Sequence, residues 1–187
     1  MSRLPTRTVW VFGLTGLVTL FAAGCGGSSS GVVAGAINFS YVPASGPSPS
    51  VTTASGPGSD DSVAVVEVHV TDVTDVLSAS FSLDFDPGVV TLADFDVVGS
   101  HLGSDGATIE PLVQLTQPGR VTVGVTRLAA AGIDFNGRRF LIRIRFQRRT
   151  AAGTSVLTFT NNNLLDSSTP PRPIPGVQWF GGTFQVN

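Results

Sequence analysis

The chain has 187 residues, of which 42% are apolar, and it carries 11 basic against 13 acidic residues. This length suits a single domain behind a short leader, and the near-balanced charge excludes a strongly basic or strongly acidic protein. The single cysteine excludes a disulfide framework, and with only two histidines the chain lacks the ligands of a zinc site.

The first 24 residues have the pattern of an export signal. Arg3 and Arg7 precede an apolar run from Val9 to Ala23, which ends in small residues. A basic head, an apolar core and a small-residue exit are the marks of a secretory signal peptide. The run is about 15 residues long, shorter than the ~20 that a membrane-spanning helix needs, so we expect it to be removed rather than kept as an anchor.

The segment FAAGC at 21–25 resembles the lipobox of bacterial lipoproteins, although Ala22 stands where that pattern usually has leucine. The resemblance implies cleavage before Cys25 and a lipid on its sulfur. In Gram-negative lipoproteins, an aspartate directly after the cysteine tends to retain the protein at the inner membrane. Gly26 occupies that position here, so the resemblance also implies anchoring in the outer membrane. The alternative is an ordinary signal peptide that leaves an unmodified Cys25, but a lone thiol is a liability in an exported protein.

Composition then divides the chain into three parts. We predict a lipoprotein signal peptide at 1–24, a flexible tether at 25–35 and one β-sandwich domain at 36–187, with its core in 50–187. The tether contains GGSSSG, and an uncharged glycine- and serine-rich segment behaves as a flexible coil.

Alternating apolar and polar residues predict short strands throughout the domain, without a long helical stretch. In chain order these are 36–42, a brief strand near Val51 within the Pro- and Gly-rich segment 43–59, then 62–70, 79–88, 89–99, 107–116, 118–128, 137–149, 154–161 and 177–186. Asp86-Pro87-Gly88 predicts a turn, and Pro111 indicates an edge strand or a bend. Nine short strands, besides the brief one near Val51, with many turns predict an all-β sandwich.

Two segments alternate most clearly. Within 79–85, Phe81 and Leu83 are expected to point into the core. Within 137–149, the side chains predicted for the core face are Phe140, Ile142, Ile144 and Phe146, and those predicted for the outer face include Leu141, Arg143 and Arg145.

Charge is unevenly distributed along the chain. From Cys25 to Gly119 there are eleven acids and no base, whereas from Arg120 onward there are nine arginines and two acids. Both parts show the same short strands and no linker separates them. We therefore predict one sandwich with opposite charges paired across strands, and no nucleic-acid-binding module.

The order of these segments resembles the cohesin domain over about residues 50–187, and more loosely the related carbohydrate-binding modules. The matching segments are VEVHV, ASFSLDFDPGVV, PGRVTVGVTRL, FNGRRFLIRIRF, SVLTFTNNNLLD and GVQWFGGTFQV. One departure is Phe85, where many cohesins have tyrosine before Asp-Pro. The resemblance implies a nine-stranded jelly-roll sandwich that binds a protein through one sheet face. It also implies that the arginine row of 137–149 lies in the other sheet, where Arg143 and Arg145 are expected to face Glu67 or His69, with Asp94 or Asp96 on a further strand.

By the same resemblance, the binding sheet contains the strands at 79–85, 121–127 and 155–160. Their outward positions, and hence the candidate partner-binding residues, are Ser80, Ser82, Asp84, Thr122, Gly124, Thr126, Val156 and Thr158. The implied function is a non-catalytic, lipid-anchored surface module that docks a dockerin-like or other surface protein. The alternative is a carbohydrate-binding module that captures polysaccharide, for which Trp179 and Tyr41 are the candidate aromatic contacts.

The sequence offers little for catalysis. His69 lies in a predicted strand and His101 in a predicted loop, and neither comes with the nucleophile and orienting group that acyl transfer needs. We therefore predict no catalytic residues, no metal centre and no cofactor. A weak calcium site at Asp84 and Asp86, or at Asp94 and Asp96, remains open, although neither pair resembles an EF-hand loop.

Overall fold

The computed structural model describes residues 35–44 and 49–187, all within one compact unit, Val32–Asn187. The predicted signal peptide, Cys25 and all but the last residue of the predicted tether lie outside the described residues, so the lipid anchor and the domain boundaries stay predictions. In the part of the chain that is described, no helix has the length and apolar character needed to cross a membrane.

The described residues form eleven strands and one short 3₁₀ turn at His101–Gly103. The strands are β1 (Ile37–Tyr41), β2 (Ser50–Ser55), β3 (Val63–Val76), β4 (Ser78–Asp84), β5 (Val90–Asp96), β6 (Thr108–Gln117), β7 (Arg120–Leu128), β8 (Ile133–Arg148), β9 (Gly153–Leu165), β10 (Gln178–Phe180) and β11 (Gly182–Val186). The all-β prediction is confirmed, and every predicted segment contains a strand.

The strands make two sheets. One has six strands in the order β1-β11-β9-β4-β7-β6, and the other has five in the order β10-β2-β3-β8-β5. All neighbours are antiparallel except β10 and β2. Pro111 lies in β6 at the edge of the six-stranded sheet, as predicted, where a residue without an N–H is tolerated.

The apolar rows of both sheets share one core. Phe81 and Leu83 of β4 lie in the same buried cluster as Ile142 and Ile144 of β8, which confirms the predicted sandwich. Aromatic rings contribute to this cluster, with the centroids of Phe146 and Phe184 5.0 Å apart. Removal of these rows from water, at about 25 cal/mol per Å², is the main stabilising contribution.

The last predicted strand, 177–186, is two strands that lie in different sheets. Gly181 stands between β10 and β11, where the chain crosses from the five-stranded to the six-stranded sheet. A Cβ at this position would clash with the backbone carbonyl of Leu157, so the crossing requires glycine. This division contributes to the difference between eleven strands and the nine that the resemblance implied.

The alternation predicted for β8 is wrong at one point. Val68 pairs with Ile142, but the next residue, His69, pairs with Phe140, which leaves Leu141 as an extra residue in a β-bulge. Leu141 is consequently buried, whereas Phe140 moves to the outer face, where the guanidinium carbon of Arg143 lies 5.2 Å from its ring centroid.

Two further irregularities explain why β3 is longer than predicted. The repeated Thr-Asp-Val at 71–76 places Asp72 and Asp75 at φ values of 51° and 55°, at shifts in the β3–β8 register. Aspartate tolerates this left-handed conformation better than most residues. Each carboxylate accepts a backbone N–H, from Gly137 to Asp72 at 2.7 Å and from Gly132 to Asp75 at 3.1 Å, so the strand continues through both irregularities.

Candidate functional site

The three strands expected to form a binding surface are neighbours in the structure. β4 lies between β7 and β9 in the six-stranded sheet and is antiparallel to both. Because successive side chains of a strand point to opposite sides, alternate residues of these strands face away from the core. We call the outward side chains of these three strands the β9–β4–β7 face.

Small side chains occupy the centre of this face. Ser80 lies opposite Gly124 on one side and Asn163 on the other. Ser80 and Thr158 are exposed, Val156 is 62% exposed, and Asp84, Thr122, Gly124 and Thr126 are partly exposed. No described outward residue of these strands is aromatic, so the centre is nearly flat.

Ser82 requires a correction. It lies in the outward row, but it is only 3% exposed, and its hydroxyl is 3.3 Å from that of Thr122. The Thr122 hydroxyl lies in turn 3.2 Å from that of Thr116 on β6. Ser82 therefore belongs to a chain of hydroxyls between strands and offers no contact surface, whereas the other seven residues remain candidates.

The only charge predicted for this face is paired within it. Asp84 accepts hydrogen bonds from Arg120 Nε at 2.5 Å and Nη2 at 2.9 Å, and from the Thr160 hydroxyl at 2.9 Å. The hydrogen bond from the Arg120 side chain is the main reason that the pKa of Asp84 is lowered. The two-point contact holds both groups in a fixed geometry and leaves this end of the face nearly neutral.

Sequence reasoning missed three outward residues of this sheet. Arg120 is separated from Thr122, Gly124 and Thr126 by an even number of positions, so the alternation along β7 already placed its side chain on the same face. Leu112 of β6, opposite Gly124, is 61% exposed, and Leu128 at the end of β7 is 59% exposed. The assignment of Leu112 needed the β6–β7 register, which the composition of β6 does not reveal. The small-residue centre is thus bordered by aliphatic side chains.

A groove of about 310 Å³ adjoins the face where the chain crosses between sheets. Its walls include Val156 and Thr158 of β9, Trp179 and Phe180 of β10, and Val42 just after β1. Two predicted partner-binding residues and one candidate sugar-binding aromatic thus meet in one place.

The two candidate aromatics do not meet each other. The Trp179 ring is partly buried, with its centroid 5.7 Å from that of Phe81 and 5.1 Å from that of Phe159. Tyr41 is exposed and lines a different cavity together with Ser50, Thr71 and Arg138. Their role in sugar binding stays a prediction, although they do not form a common stacking surface.

The carboxylates considered for calcium are mostly engaged with arginine. Asp84 pairs with Arg120, Asp96 with Arg143 and Arg145, and Asp94 with Arg145. Among residues 35–44 and 49–187, no group of three or more histidine, cysteine, aspartate or glutamate side chains is arranged to hold a metal ion. His101 donates from Nε2 to the Asp134 carbonyl at 3.0 Å, and His69 lies within the charged outer face of the other sheet.

No family model matches the chain, and no curated protein matches it. The chain is, however, similar to several solved structures. The structure of CaCohA2 from Clostridium acetobutylicum is 18% identical, with 79% of this chain and 89% of that chain covered and a TM-score of 0.53. The type I cohesin–dockerin complex Coh-OlpC–Doc435 from Clostridium thermocellum is 12% identical, with 74% and 96% covered and a TM-score of 0.53.

A third match is the sixth cohesin of scaffoldin B from Acetivibrio cellulolyticus, determined in complex with a mutant Cel5 dockerin. It is 16% identical, covers 73% of this chain and 97% of that chain, and has a TM-score of 0.51. At these identities the likeness is one of fold. The two sheets of this chain, with β9, β4 and β7 as neighbours, therefore have the cohesin fold.

Proposed function

We propose that this chain is a non-catalytic binding module that docks a protein partner through the β9–β4–β7 face. The observation that carries the proposal is the character of this face: a flat centre of small side chains, a carboxylate neutralised by Arg120, and exposed aliphatic residues at the margins. Such a surface can be desolvated by a partner without burying an unpaired charge.

The similar structures support the partner class. Cohesins from Clostridium thermocellum and Acetivibrio cellulolyticus were determined in complex with dockerins, and those modules share the fold described above. We propose a dockerin-like or other surface protein as the partner. Polysaccharide is the alternative ligand, with Trp179 as its contact.

Ser80→Arg tests the docking face. Ser80 lies at its centre, so a long charged side chain there should hold a partner away, and we expect at least a tenfold loss of affinity with an unchanged melting temperature. Affinity is measured by calorimetry against a panel of dockerins, with and without calcium, and by capture from extracts of the source organism. Thr74→Arg, on an exposed position of β3 in the other sheet, is the matched control.

A partner captured equally well by wild type and Ser80→Arg would contradict the proposed face. A glycan array is run in parallel. Binding to a polysaccharide that Trp179→Ala abolishes and Ser80→Arg leaves intact would favour the carbohydrate-binding alternative.

We further propose that the module is held at the outer membrane by a lipid on Cys25. The FAAGC segment supports this, because the sulfur of Cys25 is the acceptor that the lipobox pattern requires. In cells fed a clickable palmitate analogue, the wild-type protein should be labelled and should fractionate with the outer membrane. Cys25→Ser should lose both the label and the membrane association, and labelling that persists in this variant would contradict the anchor.

A further inference from the structure

The groove beside Trp179 is continuous with the proposed docking face. Val156 and Thr158 point outward from β9 and belong to both surfaces. β11 pairs with β9 only as far as Gly182 and Leu157, and beyond this point the chain leads back through Gly181 to β10 in the other sheet. The groove is thus the gap that opens beside β9 where β11 departs.

The walls of the groove are fixed before any ligand binds. The Gly181 carbonyl accepts hydrogen bonds from the Val42 N–H at 3.0 Å and from the Thr53 hydroxyl at 2.8 Å. The Trp179 ring rests against Phe81 and Phe159 of the core. A preformed site of this kind loses little conformational entropy when it is filled.

The chemistry of the groove is predominantly apolar. All of the described residues that line it are uncharged, and the only side-chain hydroxyls are those of Thr158 and Thr183. A sugar ring presents several hydroxyls that need partners, and a buried charge would need a counter-charge. A single large apolar side chain needs neither, and a volume of about 310 Å³ is at the lower limit of ligand pockets.

We propose that this groove receives one bulky apolar side chain, aromatic or leucine-like, from the protein that docks on the β9–β4–β7 face. This inference rests on the proposed function. Val156, Val42 and Trp179 line this apolar groove at the side of a hydroxyl-rich surface, so the inserted residue acts as an anchor and the flat face sets the orientation of the partner.

The test titrates the ¹⁵N-labelled full chain with N-acetylphenylalanine amide, N-acetylaspartate amide and methyl glucoside. We expect saturable shifts of the Gly181 and Gly182 amides and the Trp179 indole with the phenylalanine probe alone, at a dissociation constant on the order of 1 mM. Thr158→Phe, which fills the groove, should weaken binding at least tenfold. Thr154→Phe, an exposed threonine of the same strand outside the groove, should change it less than twofold.

Shifts at other residues, equal binding by Thr158→Phe, or the same shifts with methyl glucoside would each overturn the proposal. If amide dispersion shows that Thr158→Phe does not fold, Val156→Asp replaces it, since a carboxylate on the wall of the groove should exclude the same probe. The two proposals fail separately. The Ser80→Arg variant reports on the docking face and should leave probe binding unchanged, whereas Thr158→Phe reports on the groove.

Discussion

His69 lies at the meeting point of a cation, an anion and an aromatic ring on the outer face of the five-stranded sheet. Its Nδ1 is 3.2 Å from Arg138 Nη2, and since a guanidinium can only donate, this nitrogen accepts and is unprotonated. Its Nε2 is 3.5 Å from Glu67 Oε2. Burial and then the charge of Arg138 lower the pKa of His69, against the opposing effect of Glu67.

The pKa of His69 predicts how stability depends on pH. Because the folded-state value is lower than the unfolded value, the unfolded chain binds the proton first as the pH falls. The free energy of unfolding should therefore decrease as the pH falls through about 6.5, the ordinary histidine value. Denaturant titrations at several pH values from 7.5 to 5 check this, and His69→Gln should flatten the dependence.

His101→Gln is the matched control, because it removes the other histidine and leaves the Arg138–His69 contact in place. The pKa values of Asp75 and Asp84 are also lowered, so these carboxylates decrease the free energy of unfolding only as the pH falls into the ordinary carboxyl range and below it. An unchanged slope in His69→Gln would show that another group titrates in this window.

For a single residue, the sequence predicts which side of the sheet the side chain occupies far better than which other residue it contacts. The alternation along β7 places the Arg127 side chain on the inward side, with Val121, Val123 and Val125. Arg127 is indeed only 4% exposed. Its charge is balanced by Asp105, at 2.5 Å from Nη2, and Nη1 donates to the Leu102 carbonyl at 3.2 Å. Both partners lie in the connection between β5 and β6, which includes the 3₁₀ turn, and no strand periodicity predicts how such a connection folds back over a sheet.

At the scale of elements, the crossing at Gly181 connects the two sheets. β10 adds to β2 in the five-stranded sheet, and two residues after β10 ends, β11 begins in the six-stranded sheet. The backbone passes so close to β9 that a side chain at Gly181 meets the Leu157 carbonyl. Gly181 and Leu157 also line the groove, so this glycine contributes both to the crossing between the sheets and to the shape of the groove.

Gly181→Ala should destabilise the fold by about 2–3 kcal/mol, because the added methyl group must displace backbone rather than a flexible side chain. The measurement is chemical denaturation at neutral pH. Gly124→Ala is the control: Gly124 lies within β7 of the six-stranded sheet, and its Cβ would lie 3.8 Å from that of Leu112, an ordinary contact. A comparable loss in both variants would mean that glycine removal in general, and not the close approach, is responsible.

The elements that periodicity predicted correctly are those with regular register. β4 and β7 pair without interruption from Ser78 to Asp84, and their alternation holds throughout. β8 departs from its pattern at Leu141, and β3 continues past Val70 through two left-handed aspartates. A bulge adds one residue without changing composition, so an alternating pattern does not reveal it in advance.

In the whole molecule, the acidic first part of the chain and the arginine-rich second part form ion pairs with each other. Arginines from the second part of the chain meet acids from the first part in both sheets: Arg120 with Asp84, Arg127 with Asp105, Arg143 with Glu67 and Asp96, and Arg145 with Asp94 and Asp96. β8 lies between β3 and β5, which supply three of these acids. The prediction of one self-complementary sandwich is therefore confirmed.

The double variant Arg143→Glu, Arg145→Glu tests how much this pairing contributes. It replaces four close contacts with like charges beside Glu67, Asp94 and Asp96. Since partly exposed pairs contribute roughly 0.2–1 kcal/mol each, we expect a loss of about 2–4 kcal/mol in the free energy of unfolding. Added salt screens the repulsion, so the difference from wild type should narrow between about 0.05 and 1 M sodium chloride.

Arg148→Glu, Arg149→Glu is the matched control for this variant, because it changes the net charge equally at the end of the same strand. Neither arginine makes an ion pair with another of the described residues. The Arg149 side chain donates one long hydrogen bond, to the Pro87 carbonyl at 3.4 Å. We therefore expect the control to lose less than about 1 kcal/mol, as is usual for surface substitutions. An equal loss of unfolding free energy in the two double variants would mean that the change in net charge, and not the loss of ion pairs across β3, β8 and β5, causes the destabilisation.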